Sequence, residues 1–167
     1  MTQNRLTLST SGPVLLISEK ILHYRPPRIS MLLLVLATTV QWVVPPVRVE
    51  LFNSPLLAVC AATTGFTIMM WAWWQFKSSQ VAICPTEYTS RLITHGAYQL
   101  SRNPMYLGML LMLIGVALWI GTLPFYLAAT GFFLVIQQAF CPYEEAKLMA
   151  EFGQKYQHYK SAVRRWL

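Results

Sequence analysis

The chain has 167 residues, 55% of them apolar and only 11% charged, against roughly a quarter charged in an average soluble domain. Its formal charge is +7, yet the basic residues lie in the segments between apolar runs. That placement excludes a nucleic-acid-binding surface built from a basic face and aromatic platforms, and points to lipid headgroups and membrane topology. Cys60, Cys84 and Cys141 are odd in number and far apart, so neither a disulfide framework nor a metal site is expected.

In chain order, residues 1–11 are polar, and the first long apolar run begins near Ile29 without a small-residue cleavage site, so no secretory signal is expected. Residues 13–24 predict a short amphipathic helix lying on the membrane. A first span is expected over 29–44, bracketed by Pro26-Pro27 and Pro45-Pro46, because proline is tolerated at a helix start and just past its end. A second is expected over 56–76, a stretch without charge that at ~1.5 Å per residue reaches about 30 Å and crosses a bilayer core.

The third and fourth apolar runs, 104–120 and 125–141, are nearer 17 residues than 20, and neither holds a Lys, Arg, Asp or Glu. Each such residue at mid-bilayer costs roughly 2.5–3.5 kcal/mol, so charge-free runs of this length suit lipid. Gly121-Thr122-Leu123-Pro124 is a turn signal between them, predicting an antiparallel hairpin. Beyond it, Leu148, Phe152, Tyr156, Tyr159 and Val163 recur every three or four residues, an amphipathic helix pattern interrupted at Gly153. The expected fold is therefore all-α: a polytopic bundle of about four transmembrane helices with an amphipathic C-terminal helix.

Charge sets the expected orientation. Arg5, Lys20, Arg25 and Arg28 precede the first span; Lys77, Arg91 and Arg102 lie between the second and third; Lys147, Lys155, Lys160, Arg164 and Arg165 follow the fourth. With four spans these segments share one side, while the other holds Arg48, so both termini and the 77–103 loop are expected in the cytoplasm. The chain divides into a cytoplasmic segment, 1–28, two transmembrane helices, 29–76, and a region 77–167 that holds most of the reactive side chains.

Two groups of residues there carry chemistry. All six acidic residues are glutamates, and Glu144 and Glu145 are adjacent just after the fourth span. They suit the first turn of a helix, and equally offer acceptors for a cation, an amine or a ribose diol. The second group is Thr94-His95-Gly96-Ala97-Tyr98 followed by Ser101-Arg102-Asn103-Pro104-Met105-Tyr106-Leu107-Gly108. Asn103 fits an N-cap and Pro104 the first helical position. A helix N-terminus beside Arg102 suits a carboxylate or phosphate; Tyr98 and Tyr106 are equally plain interfacial aromatics.

Taken with their spacing, these residues resemble a known family. Arg102-Asn103-Pro104-Met105-Tyr106-Leu107-Gly108 is similar to the R-H-P-x-Y-x-G motif of isoprenylcysteine carboxyl methyltransferases and related phospholipid N-methyltransferases. Leu92-Ile93-Thr94-His95-Gly96-Ala97-Tyr98 resembles the L-V-T-S-G-x-Y approach to that motif, and Glu144-Glu145-x-x-Leu148 with Phe152-Gly153-x-x-Tyr156-x-x-Tyr159 resembles the family's tail. Order and spacing agree from about Phe76 onward, roughly half the chain. The resemblance implies a membrane-embedded methyltransferase that uses S-adenosyl-L-methionine, with 77–167 as its catalytic region of cofactor loop, helical hairpin and tail. By position it implies cofactor contacts from Ser90, Arg91, Leu92, Ile93, Tyr98, Asn103, Pro104, Met105, Tyr106 and Glu144. It names no catalytic residue.

Two positions depart from the pattern. The family histidine is Asn103, which makes hydrogen bonds but cannot carry charge. The arginine that contacts the prenylcysteine substrate, four residues before the first tail glutamate, is Phe140. Arg165 or Arg164 is a candidate replacement, and Gln137 and Gln138 are candidates either for lining the substrate site or for hydrogen bonding between helices. The family default is carboxyl methylation of a prenylated or lipid-like acceptor; headgroup amine methylation is the alternative, favoured by the missing arginine. Of other classes, a transporter is disfavoured because no span holds an ionisable residue and no internal repeat is present, and a non-catalytic scaffold has no need of the matched Tyr98, Asn103 and Glu144.

Overall fold

Proline starts most of the helices. In the computed structural model, which describes residues 25–45, 47–49, 54–79 and 92–167, it occupies the first or second position of α1 (Pro26–Val43) and α2 (Pro55–Ser78). After a single turn, α3 (Ala97–Leu100), the same holds for α4 (Pro104–Ile120), α5 (Leu123–Val135) and α6 (Cys141–Phe152). In α1, α2, α4 and α5 the missing N–H costs nothing, since a first-turn donor has no partner within the helix. The last helix, α7 (Gln154–Ala162), begins after Gly153, which takes φ 50°, ψ −121° and breaks the amphipathic tail where its pattern predicts. The predicted interfacial helix over 13–24 lies outside the described residues.

The chain is an all-α membrane helix bundle. Three helices are long and apolar enough to cross a bilayer, Pro26–Val43, Pro55–Ser78 and the continuous Leu123–Phe152, with Pro104–Ile120 as a shorter apolar fourth. Lipid-facing side chains such as Leu32, Leu56 and Trp42, the last 87% exposed, mark their outer surfaces. Near the end of α2, Lys77 Nζ sits 5.0 Å from the centre of the Trp73 ring, a cation–π pair at the level where aromatic belts form.

The fourth span departs from expectation at its end. The apolar run was expected over 125–141, but the helix continues from α5 through a π-helical turn, Ile136–Phe140, into α6 and past Pro142. The physical reason is that the widened turn relieves the clash of the proline ring with the preceding carbonyls and absorbs the absent donor. Glu144 and Glu145 thus ride on the extension of a transmembrane helix and not on a separate surface helix.

The predicted hairpin forms: Gly121 ends α4 in the left-handed region at φ 70°, and α4 packs against α5. Far more extensive is the packing of α2 against α4. Its seam is made of small residues, Gly65 meeting Gly108, and Ala58 and Ala62 meeting Gly115. A β-carbon on Gly108 would lie 2.6 Å from the Gly65 carbonyl oxygen, and the reverse is equally close. Without a hydrophobic drive between helices in lipid, such backbone approach is what gains van der Waals contact.

Helix α1 packs along α5 with Ala37 against Phe125 and Ala128. At one end of the bundle Thr122 Oγ1 donates to Gln41 Oε1 at 2.6 Å, and the Val47–Val49 segment pairs with the hairpin turn. At that end an apolar cavity of about 340 Å³, remote from the polar groups, opens between α1 and α5. Arg48 lies there, whereas the start of α1, the end of α2, the start of α4 and all of α6 and α7 gather at the opposite end.

Candidate active site

At that opposite end the chain between α3 and α4 is held by its own C-terminal tail. Ser101, fully buried, donates from Oγ to the Arg165 carbonyl at 2.8 Å and accepts the Asn103 N–H at 3.1 Å. The Arg102 N–H donates to the Arg164 carbonyl at 3.0 Å. Farther along, Trp166 Nε1 donates to Gln137 Oε1 at 2.7 Å, and its ring tilts against Phe133 with centroids 5.3 Å apart. The tail therefore lies across the Ser101–Asn103 segment and the π turn together.

Glu145 is the electrostatic centre of this junction. Its Oε1 accepts from Arg165 Nε at 2.7 Å and from Arg102 Nη2 at 3.0 Å, and Lys160 Nζ stands 3.2 Å from Oε2. Arg102 also donates through Nη1 to the Lys160 carbonyl at 3.0 Å. One buried carboxylate so binds three cations from the α3–α4 loop, α7 and the tail. The short bond to Glu145 pushes the Arg165 guanidinium above its ordinary value, keeping it charged.

Glu144, one residue earlier, points to different partners. The Tyr106 hydroxyl donates to its Oε1, and the Tyr106 ring meets the Phe140 ring edge-on at 6.4 Å. Tyr98 completes the group: burial, then the nearby Tyr159 and the Glu144 charge, raise its phenol above the ordinary range. Its carbonyl accepts the Tyr159 hydroxyl at 2.6 Å. Burial likewise raises Tyr159, and Tyr156 to about 12, so both phenols remain protonated donors. The site is thus a carboxylate ringed by neutral aromatic side chains, a setting that favours a positively charged or hydroxyl-bearing ligand.

Of the residues singled out from sequence, Tyr106 and Glu144 are joined by a hydrogen bond, and Tyr98 is near enough to sense the Glu144 charge. Asn103 is buried beside them, but it does not cap α4: its Nδ2 donates to the Arg165 carbonyl at 3.4 Å. The donation from Nδ2 to the tail carbonyl orients the side chain, and its Oδ1, the atom that would accept a first-turn N–H, caps none. Pro104 is buried at the first position of α4, Met105 is half-buried, Ile93 is buried and Leu92 half-buried. Ser90 and Arg91 lie outside the described residues. On the acceptor side, Phe140 is 1% exposed within the cluster of Tyr106, Phe132, Ile136 and Cys141, Gln137 holds Trp166, and Arg165 is paired with Glu145.

Sequence reasoning missed Trp166 and Gln75, and it left Ser101 and Glu145 without roles of their own. Gln75, on the last turns of α2, donates from Nε2 to the His95 carbonyl at 3.3 Å and accepts the Ala97 N–H on Oε1 at 2.8 Å. The signal for it was faint: one amide near the end of an otherwise apolar span. Among the described residues no cluster of three or more His, Cys, Asp or Glu side chains is arranged to hold a metal ion.

Comparison with known proteins places the same region in context. Residues 54–155 match the family model described as phospholipid methyltransferase. An uncharacterized protein of Haemophilus influenzae is 44% identical over 63 residues, 38% of this chain and 100% of that protein. Probable protein-S-isoprenylcysteine O-methyltransferases of Oryza sativa subsp. indica and subsp. japonica are each 38% identical over 76 residues, 44% of this chain and 38% of theirs. The match thus covers well under half of the rice proteins. No solved structure matches the chain.

Proposed function

The chain belongs to the phospholipid methyltransferase family, and from that premise we propose that it is an integral membrane enzyme that transfers a methyl group from S-adenosyl-L-methionine to a lipidic acceptor. The observation that carries the reading is the hydrogen bond from Tyr106 to Glu144, which joins two motifs far apart in the chain at one point.

The donor set fits that cofactor. Glu144 is suited to its amino group or ribose hydroxyls, and the rings of Tyr98 and Tyr106 to the face of a sulfonium cation or of adenine. The first turn of α4, at Met105 and Tyr106, lacks a cap from Asn103 and suits a carboxylate. Leu92 and Ile93 would extend the pocket, while Ser90 and Arg91, the other positions the family resemblance implies, lie outside the described residues. When bound, the cofactor supplies an electrophilic methyl carbon. The chain's task is then to align an acceptor in line with the methyl–sulfur bond and to keep water out, which supplies most of the rate effect in such a transfer.

For the acceptor, the geometry favours an amine headgroup. Phe140 stands against Tyr106, and Arg102, Lys160 and Arg165 are drawn to Glu145. Those three cations are thereby taken from an acceptor carboxylate, a better match for a neutral amine becoming cationic. The rice relatives support the second reading, carboxyl methylation of an isoprenylcysteine. Gathering of the basic segments at the site end supports a cytoplasmic active site with the acceptor arriving from the bilayer.

The test is to incubate the purified enzyme with methyl-labelled cofactor and membrane extracts. Label in a base-stable N-methyl headgroup is the expected result, base-labile label establishes carboxyl methylation, and no transfer to any lipidic fraction contradicts the reading.

A further inference from the structure

The single turn α3 carries Tyr98 but has little means of holding itself. Four residues are far below the length at which a helix is stable alone. Its N-cap is Gly96, which has no side chain to accept the first amide, and whose φ of 63° and ψ of −123° are open to glycine. The missing cap comes from another helix. Gln75 Oε1 takes the Ala97 N–H while Nε2 binds the His95 carbonyl, so one amide spans both sides of the turn. The fit is close: a β-carbon on Gly96 would fall 1.8 Å from Gln75 Nε2 and 2.6 Å from Cδ. Ala97 is fully buried beneath it. From the far side, the Tyr159 hydroxyl grips the Tyr98 carbonyl. The turn is thus pinned between α2 and α7.

We propose that Gln75 is a positioning residue of the methyltransferase site, capping α3 in trans and so fixing the turn that carries Tyr98. The inference rests on the cofactor reading above. Gly96 is required for the same reason: any side chain would occupy the volume of the Gln75 amide.

The test is calorimetric titration with S-adenosylmethionine of detergent-purified wild type, Gln75→Ala and Gln75→Glu, with thermal unfolding and amide hydrogen exchange of residues 94–100 measured in parallel. Losing both hydrogen bonds is expected to weaken binding roughly tenfold, with exchange at Ala97 accelerated and the unfolding midpoint little changed. Glutamate keeps the acceptor for Ala97 and is expected to recover most of the affinity. Gln75→Asn, one methylene short, reproduces the loss should the alanine variant not fold. Gly96→Ala is expected to cost less in the Gln75→Ala background than in the wild type, because the overlap is then gone. A folded wild type that binds no cofactor overturns the cofactor reading and this role with it. A wild type that binds, alongside Gln75→Ala binding equally well or Gln75→Glu binding no better than Gln75→Ala, overturns the role of Gln75 alone.

Discussion

The Tyr106 hydroxyl donates to the Glu144 carboxylate, linking the first turn of α4 to the extension of α5 beyond the bilayer. Its neighbour Glu145 looks the other way, into Arg102, Lys160 and Arg165. Two adjacent glutamates thus have separate partners, one turned to Tyr106 at the proposed cofactor site and one tying the loop, α7 and the tail into a single block.

Glu145 is expected to matter for stability more than for affinity. It is 7% exposed, so Glu145→Gln leaves Arg102 buried without its counter-charge, a change that costs about 3–5 kcal/mol when a buried pair is broken. Lys160 is 44% exposed, and Lys160→Ala is expected to cost under about 1 kcal/mol. Unfolding of both variants in detergent, followed by denaturant titration, checks the contrast. Equal losses contradict the assignment.

The tail is expected to detach in steps. Trp166→Phe keeps the packing on Phe133 but removes the donor to Gln137, for an expected loss of about 1 kcal/mol. Trp166→Ala removes both and should expose residues 163–167 to carboxypeptidase and fast hydrogen exchange. A tail as protected in the alanine variant as in the wild type is the contrary result.

The seam between α2 and α4 leaves no room for a single methyl group. Gly108→Ala is expected to push the helices apart at Gly65, because the new β-carbon meets backbone oxygen and not a side chain that can turn aside. Overpacking of this kind costs about 1–3 kcal/mol. Gly153→Ala meets no atom within 4 Å, so its penalty is confined to the positive φ. Comparing the two unfolding midpoints separates crowding from backbone strain.

The spans and the pairing of the two motifs were legible in the chain, because charge-free runs, proline starts and regular spacing are local signals. What escaped was contact between distant backbone and side chain. Asn103 reads as an N-cap, yet its amide is taken by a carbonyl 62 residues away. The fourth apolar run ends at Cys141, yet a π turn carries its helix past Pro142. Gln75 acts on the backbone of His95 and Ala97, a relationship with no periodicity to reveal it.

The central claim is that Glu144 holds a cofactor at the start of α4. Calorimetric titration of the detergent-purified protein with S-adenosylmethionine tests it most directly, using wild type, Glu144→Ala and Tyr106→Phe. The wild type is expected to bind, Glu144→Ala to bind at least about tenfold more weakly, as loss of a charged acceptor implies, and Tyr106→Phe to fall between. A folded wild type that gives no binding heat and is not stabilised by the cofactor, or a Glu144→Ala variant that binds like the wild type, contradicts the claim.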